Sequence, residues 1–391
     1  MIDDKKLKRY GELTYKHGTP VFVYSLREID RQIDALLSLQ MPFGYTPRYA
    51  MKANHHPDIV RHITSRGFGI DASSSYEAEM AIKLGVPAEN IAITSQQSAH
   101  NLAELINPGV RYNATSLHQL EQYARQFPST KVGVRINPGI GSGHSQKVNV
   151  GGLTSSFGIW HEYIPDAIAL AEQYDVTIHR VHTHIGSGSD MAVWEASIDM
   201  SLAAVAQFEA VDTINLGGGF KVAYMPDETA SDVAEIGRII HERIASFADN
   251  TGKELHVELE PGRFLVAEAG VLLATVDDIV DTGLDGYQFM KLNTGMNDFM
   301  RPALYGAQHP IEVLNNATER QDYVVVGHCC ESTDLLTPQP GNAEQVATRS
   351  LRKAQIGDVV AIGGVGAYGA SMATHGFNSF PSAQQVIVEE L

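Results

Sequence analysis

Cysteine is nearly absent: the 391 residues contain two, Cys329 and Cys330, adjacent in the chain. Neighbouring cysteines are poorly placed for an ordinary structural disulfide, so a reducing, cytoplasmic compartment is expected. One such pair also falls short of a structural zinc site, and no metal is expected. Positive charge is scarce too. Lys and Arg total 29 against 46 Asp and Glu, a formal net charge of -17, which disfavours nucleic acid and anionic membrane surfaces as partners. No apolar run is long enough to span a bilayer, and residues 1–6 carry no apolar targeting core. What is present is ordinary globular material, 43% hydrophobic and 19% charged. That suffices for a large core and, by length, for two domains or one α/β barrel with an addition.

From about residue 45 to about residue 265, apolar strand-like runs alternate with helical patterns. The spacing predicts strands at 48–52, 68–72, 91–95, 111–114, 131–137, 178–184, 213–216 and 255–260. Helix signals lie between them, as in the run 75–85, flanked by serine and closed by glycine. This rhythm of about eight strand–helix repeats over ~220 residues matches a (β/α)8 barrel. No G-x-G-x-x-G follows the first strand, which weakens a doubly wound sheet. Beyond about residue 275 come β-rich runs without helical partners, at 289–292, 311–314, 323–327, 359–361 and 385–388, and residues 20–24 form another. The expected architecture is α/β: a (β/α)8 TIM barrel over residues 27–272, plus a mostly antiparallel β domain from residues 1–26 and 273–391.

Polar residues gather where the predicted strands end. Lys52, Asp71, Ser95, Asn113, Arg135, His184, the Gly217-Gly218-Gly219 run and Glu260 fall at or near C-terminal strand ends, which in a barrel converge on one face. An isolated lysine there is ordinarily solvated. At the mouth of a buried strand, however, desolvation would lower the pKa of Lys52 and equip it to bond to a carbonyl cofactor. Three successive glycines let backbone N–H groups approach an anion, and barrel phosphate sites form after strands seven and eight; a plain tight turn has the same sequence. His182 and His184 share one face of the sixth strand, and without a third ligand they make a poor metal pair. His184 suits a ring packed on an aromatic cofactor, with Ser187 donating to its phosphate, whereas His182 reads as a core histidine. A lysine, a phosphate cradle, a ring histidine and a buried Glu260 together describe pyridoxal 5'-phosphate (PLP), whose ring nitrogen Glu260 would keep protonated.

Several motifs then occur in order: Tyr49-Ala50-Met51-Lys52-Ala53-Asn54, Gly143-His144-Ser145-Gln146-Lys147, His184-Ile185-Gly186-Ser187, the triple glycine and Glu260-Pro261-Gly262-Arg263. Asn297-Asp298-Phe299-Met300-Arg301-Pro302, Cys330-Glu331-Ser332-Thr333-Asp334 and Gly366-Ala367-Tyr368-Gly369 follow. Over nearly its whole length the chain resembles the fold-type III PLP decarboxylases, and among them the diaminopimelate decarboxylase family. The resemblance implies decarboxylation of meso-diaminopimelate to L-lysine and CO2. It implies that Lys52 carries PLP, that His184 stacks on its ring and that Glu260 pairs with its nitrogen. Ser187, Gly218, Gly219, Gly262, Arg263 and Tyr368 would complete the cofactor site. Arg263, Arg301 and Tyr305 match positions that grip the distal end of the substrate, with Tyr368 beside it. Glu331 and Cys330 match a segment that reaches the site from a partner subunit, which implies a homodimer in which Cys330 protonates the carbanion. A distal carboxylate suits a guanidinium fork, and a distal ammonium suits Glu331.

The chain departs from the family pattern at three places. Ser156 stands where lysine is usual, Asn293 where aspartate is usual, and Phe380 where arginine is usual. These changes keep open a decarboxylase of another amino acid with a polar distal group, such as a D-diamino acid or a siderophore precursor. A non-catalytic protein using the same fold to bind a partner is the third reading.

Overall fold

The computed structural model describes residues 4–139, 152–184 and 188–391. It divides into two compact units, one of Gln32–Lys221 and Thr229–Gly262, the other of Met1–Arg31, Val222–Glu228 and Arg263–Leu391.

The first unit is a closed parallel barrel. Its strands, in chain order, are Tyr45–Ala50, Gly69–Ala72, Ile91–Thr94, Arg111–Ala114, Lys131–Asn137, Thr177–His182, Thr213–Asn215 and His256–Leu259. Each pairs with the next, and the last closes on the first. A short strand, Ile159–Trp160, pairs beside the fifth. All the predicted barrel strands are present, because each is a short apolar run bounded by a helix signal. The helices Ser75–Lys83 and Leu117–Gln126 begin with the same device. Ser74 Oγ accepts from Glu77 N at 3.1 Å and Ser116 Oγ from Gln119 N at 3.1 Å. In turn the Glu77 and Gln119 side chains accept from Ser73 N and Thr115 N. Such reciprocal caps satisfy backbone donors that a helix start leaves unpaired, and here they secure the turns just past the second and fourth strands.

Several strands stop short of the sequence expectation, and at two of them the difference moves a candidate residue. Pairing of the first strand stops at Ala50, and Lys52 lies in a single 3-10 turn, Met51–Ala53, closed by Asn54 N donating to Met51 O. The sixth strand stops at His182, so His184 lies beyond the ladder. Both displacements carry functional candidates off the sheet and into the turns above it.

Strand periodicity sorts the barrel side chains. Val181, Val257 and Leu259 are fully buried apolar residues, while Arg180, His182, Glu258 and Glu260 alternate with them and are also buried. Alternate residues of a strand face opposite sides. One set packs beneath the helices and the other fills the barrel, where it must find polar partners.

The second unit holds an eight-stranded sheet built from both ends of the chain. Val21–Ser25 pairs antiparallel with Gly270–Asp281 and parallel with Gln384–Val388. The pairing of Gln288–Leu292 with Arg320–Val326 is also parallel, and the other pairings of this sheet are antiparallel. Tyr10, Leu13, Val21, Val23, Val271, Leu273 and Ala361 form one core cluster, which ties the first helix, Asp4–His17, to the sheet. Among the described residues, no helix is long and apolar enough to cross a membrane.

Candidate active site

The barrel interior is built in two polar layers. In the lower one Glu258, fully buried, accepts from Arg48 Nη2 at 2.7 Å, with Arg111 Nη1 3.5 Å from the same oxygen. Arg180 Nε lies 3.3 Å from the other carboxylate oxygen. Burial alone would push this carboxyl up, but the charges of Arg180, Arg48 and Arg111 hold it down at about 2. These residues come from the eighth, first, sixth and fourth strands, so the layer locks opposite sides of the barrel together.

Just past the end of the eighth strand, two residues beyond Glu258, Glu260 stands in the upper layer. Asn215 bridges the layers, donating to Glu260 Oε1 at 2.7 Å and to Glu258 Oε2 at 3.3 Å. His182 Nε2 lies 3.3 Å from Glu260 Oε2. The other His182 nitrogen lies 3.5 Å from Thr94 Oγ1, which accepts from Asn113. Burial opposes the Glu260 charge, yet His182 and Lys52 outweigh it and hold the carboxyl well below its ordinary range. Lys52 Nζ donates to Asp71 Oδ2 at 3.3 Å. Asp71 is pushed up by burial and by the Glu260 charge, with Lys52 opposing.

The Lys52 side chain is 44% exposed in this chain and pairs with the buried Asp71. His182 is a buried core histidine whose Nε2 also faces Glu260 Oε2. The i, i+2 spacing of Arg180 and His182 carried that signal, because it puts both on the polar side of one strand.

The glycine run abuts this layer. Asn215 Oδ1 accepts from Gly217 N at 2.8 Å. A methyl group at Gly217 would stand 2.6 Å from His184 Nδ1, and one at Gly218 would stand 2.5 Å from the Glu260 carbonyl oxygen. The absent side chains thus let the seventh-strand turn lie directly against the His184 ring and the Glu260 backbone. Gly219 carries a φ of +112 and its carbonyl accepts from Gly188 N. His184 is held well below its ordinary pKa, by burial first and then by Arg135 and Lys52, so its ring is neutral near pH 7. A methyl group at Gly262 would stand 3.0 Å from both Cβ and O of Ala50, which explains glycine where the eighth-strand loop crosses the first strand. Ser187 and the 143–147 motif lie outside the described residues.

The remaining candidates belong to the β unit. Arg301 is buried, with its Cζ 5.1 Å from the Tyr224 ring centroid, and its Nε donates to His309 Nε2 at 3.3 Å. Burial and then the like charge of Arg263 depress its pKa, while Tyr224, Tyr368 and Tyr305 oppose. No acidic side chain pairs with it among the described residues. Arg263 Cζ lies 5.6 Å from the Tyr368 ring centroid. Tyr368 adopts a φ of +55, a left-handed conformation that is strained for an aromatic residue. Tyr305 ends the short helix Arg301–Tyr305 and is half-buried. Cys330 and Glu331 are exposed, and their bonds are to their own unit. Cys330 N donates to Asn378 Oδ1, and Glu331 Oε1 accepts from Thr333 N and Oγ1. Tyr224 and His309 were not singled out from the sequence, because neither lies in a recognisable motif.

The three departures each have a local partner. Asn293 Oδ1 accepts from Thr275 N, while Nδ2 donates to Thr19 O and Oγ1, a donor role that a carboxylate lacks. The Phe380 ring stacks on His328 with centroids 3.7 Å apart. Ser156 Oγ accepts from Gln96 Nε2 at 3.2 Å.

Comparison with known proteins agrees with this arrangement. Residues 26–267 match the family described as pyridoxal-dependent decarboxylase, pyridoxal binding domain. A diaminopimelate decarboxylase of Streptomyces coelicolor is 34% identical over 393 residues, covering 97% of this chain and 87% of the relative. A crystal structure of a diaminopimelate decarboxylase superposes with a TM-score of 0.90 at 33% identity, covering 98% of this chain and 91% of the other. That of the Helicobacter pylori enzyme, complexed with L-lysine, gives 0.85 at 26% identity, covering 98% and 94%. The chain belongs to the pyridoxal-dependent decarboxylases and, within them, to the diaminopimelate decarboxylase family.

Proposed function

We propose that this enzyme decarboxylates meso-diaminopimelate to L-lysine and CO2, with Lys52 as its cofactor anchor and Arg301 as the anchor for the distal carboxylate. The residues present fit PLP. Arg135 Nη2, His184 Nδ1 and Asp71 Oδ1 are buried polar atoms without hydrogen-bond partners among the described residues, and Gly217 and Gly218 let the backbone turn lie directly against His184 and Glu260. Bound PLP supplies an electron sink for the pair left at Cα when CO2 departs.

Each residue then has a task set by its surroundings. Asp71 holds the Lys52 ammonium in place. Glu260, kept anionic by His182, retains a proton at the pyridine nitrogen. The neutral His184 ring offers an uncharged face for stacking. Backbone N–H groups at Gly218 and Gly219, with Ser187, hold the phosphate, and Gly262, Arg263 and Tyr368 complete the cofactor site. Tyr305 and Glu331 bind the distal amino-acid group, with Tyr368 beside it. Cys330 returns a proton to Cα. Cys330 and Glu331 are exposed on their own chain, which supports a homodimer whose partner receives them. Two free cysteines with no bridge support a reducing, cytoplasmic setting.

The observation that carries the substrate is Arg301. A buried guanidinium beside a second arginine, with no acidic partner among the described residues, calls for a ligand carboxylate. Meso-diaminopimelate has a distal carboxylate; simple diamino acids lack one. Borohydride treatment of the yellow holoenzyme should fix the cofactor on Lys52 in a peptide map, and CO2 release should be greater from meso-diaminopimelate than from D-lysine, D-ornithine or L-arginine. Arg301→Ala should weaken meso-diaminopimelate binding and spare D-lysine. Equal losses for both would remove Arg301 from this role.

A further inference from the structure

His309 is 1% exposed and accepts the Nε–H of Arg301 at 3.3 Å through Nε2. Its other ring nitrogen, Nδ1, lies 3.0 Å from the carbonyl oxygen of Gly363. A carbonyl only accepts, so Nδ1 carries the proton and Nε2 is left as a lone pair. This tautomer is the one that can receive Arg301. The ring is held on both sides, by Phe299 edge-on at 4.7 Å and by Tyr224 at 4.7 Å between centroids. Tyr224 also lies under the guanidinium. With Nε bound to His309 and one face against Tyr224, the two Nη groups of Arg301 remain for an end-on carboxylate.

We propose that His309 is a specificity-determining positioning residue, acting as a neutral hydrogen-bond acceptor that aims Arg301 at the distal carboxylate of the substrate. This rests on the reading of Arg301 given above. Burial and the Arg301 charge hold the imidazole well below its ordinary pKa, consistent with the neutral form that the geometry requires. Protonation would turn Nε2 into a second donor facing a donor.

The test uses holoenzymes of His309→Leu, His309→Asn, His309→Gln and Arg301→Ala. Glutamine places an amide oxygen near the position of Nε2 and can still accept from Arg301. Asparagine is shorter and keeps only the contact toward Gly363. The readouts are kcat and KM for meso-diaminopimelate, with inhibition by pimelate, which bears carboxylates, and by cadaverine, which bears only amines. His309→Leu and His309→Asn should raise KM and the pimelate inhibition constant about tenfold or more, the scale of one lost hydrogen bond to a charged group. The cadaverine constant should stay unchanged, and His309→Gln should restore most of the loss. Rescue by Asn instead of Gln would assign His309 to a structural bond with Gly363 and overturn the proposal, as would equal losses for pimelate and cadaverine. If Arg301→Ala separates pimelate from cadaverine while His309→Leu does not, the proposal fails and the reading of Arg301 stands. If Arg301→Ala fails to separate them, both fall.

Discussion

Replacing Glu258 with glutamine should destabilise the barrel by about 3–5 kcal/mol, the range found when one member of a buried ion pair is removed. The structure supports that magnitude by a second route. One buried carboxylate faces Arg48 and Arg180, which are 1% and 0% exposed, with Arg111 alongside. Its pKa is held at about 2 against an ordinary value of 4.5. At about 1.4 kcal/mol per pKa unit, that depression is worth about 3 kcal/mol of folding free energy. Glutamine preserves the shape but leaves two buried guanidiniums uncompensated. Both tryptophans, Trp160 and Trp194, belong to the barrel unit, so urea unfolding followed by tryptophan fluorescence reports on that unit. The pH dependence has a definite sign. A depressed carboxyl stabilises fully above 4.5 and loses that contribution as pH falls from 4.5 toward 2, so the gap between wild type and Glu258→Gln should narrow over that window. Adding Arg180→Met to Glu258→Gln should recover part of the loss by removing a stranded charge. A gap below about 1 kcal/mol at neutral pH, the scale of a surface pair, would refute the reasoning. So would a gap that persists unchanged at pH 3.

Gly218→Ala should weaken PLP retention, measured by titrating apoenzyme with the cofactor, because its methyl group would stand 2.5 Å from the Glu260 carbonyl oxygen. Gly11→Ala, with nothing within 4 Å, is the control that should leave retention unchanged. Asn215→Leu removes the donor to Glu260 and the acceptor for Gly217 N; a stability loss of about 1–3 kcal/mol is expected, together with a pH-dependent spectrum of the bound cofactor near neutrality. Unchanged stability and spectrum would show that Glu260 does not depend on this bridge. Restoring the residue usual in the family, Asn293→Asp, should lower the unfolding midpoint, since a carboxylate cannot donate to the Thr19 carbonyl. A rise in the midpoint would show that the amide is not needed there.

The chain's local chemistry was legible wherever it depended on near neighbours. Short apolar runs bounded by serine caps and glycines announced the barrel strands, and the return of β runs after residue 275 announced the second sheet. Lys52, Asp71, His184, Gly218 and Glu260 were identifiable because each falls where a strand finishes, and strand ends share one face in this fold. Periodicity could have gone further, since Glu258 with Glu260 and Arg180 with His182 each obey the two-residue repeat of an interior face. It could not supply partners. Glu260 meets His182 and Asn215 only because strands distant in sequence close into a ring, and His309 reaches Arg301 only because its ring is fixed by Gly363, 54 residues away. Lys52 shows the same division. Its place at a strand end, and the family chemistry that goes with it, could be read along the chain. That its ammonium meets the buried Asp71 of the next strand followed from closure of the barrel, because burial and electrostatic pairing depend on strands that the fold brings together.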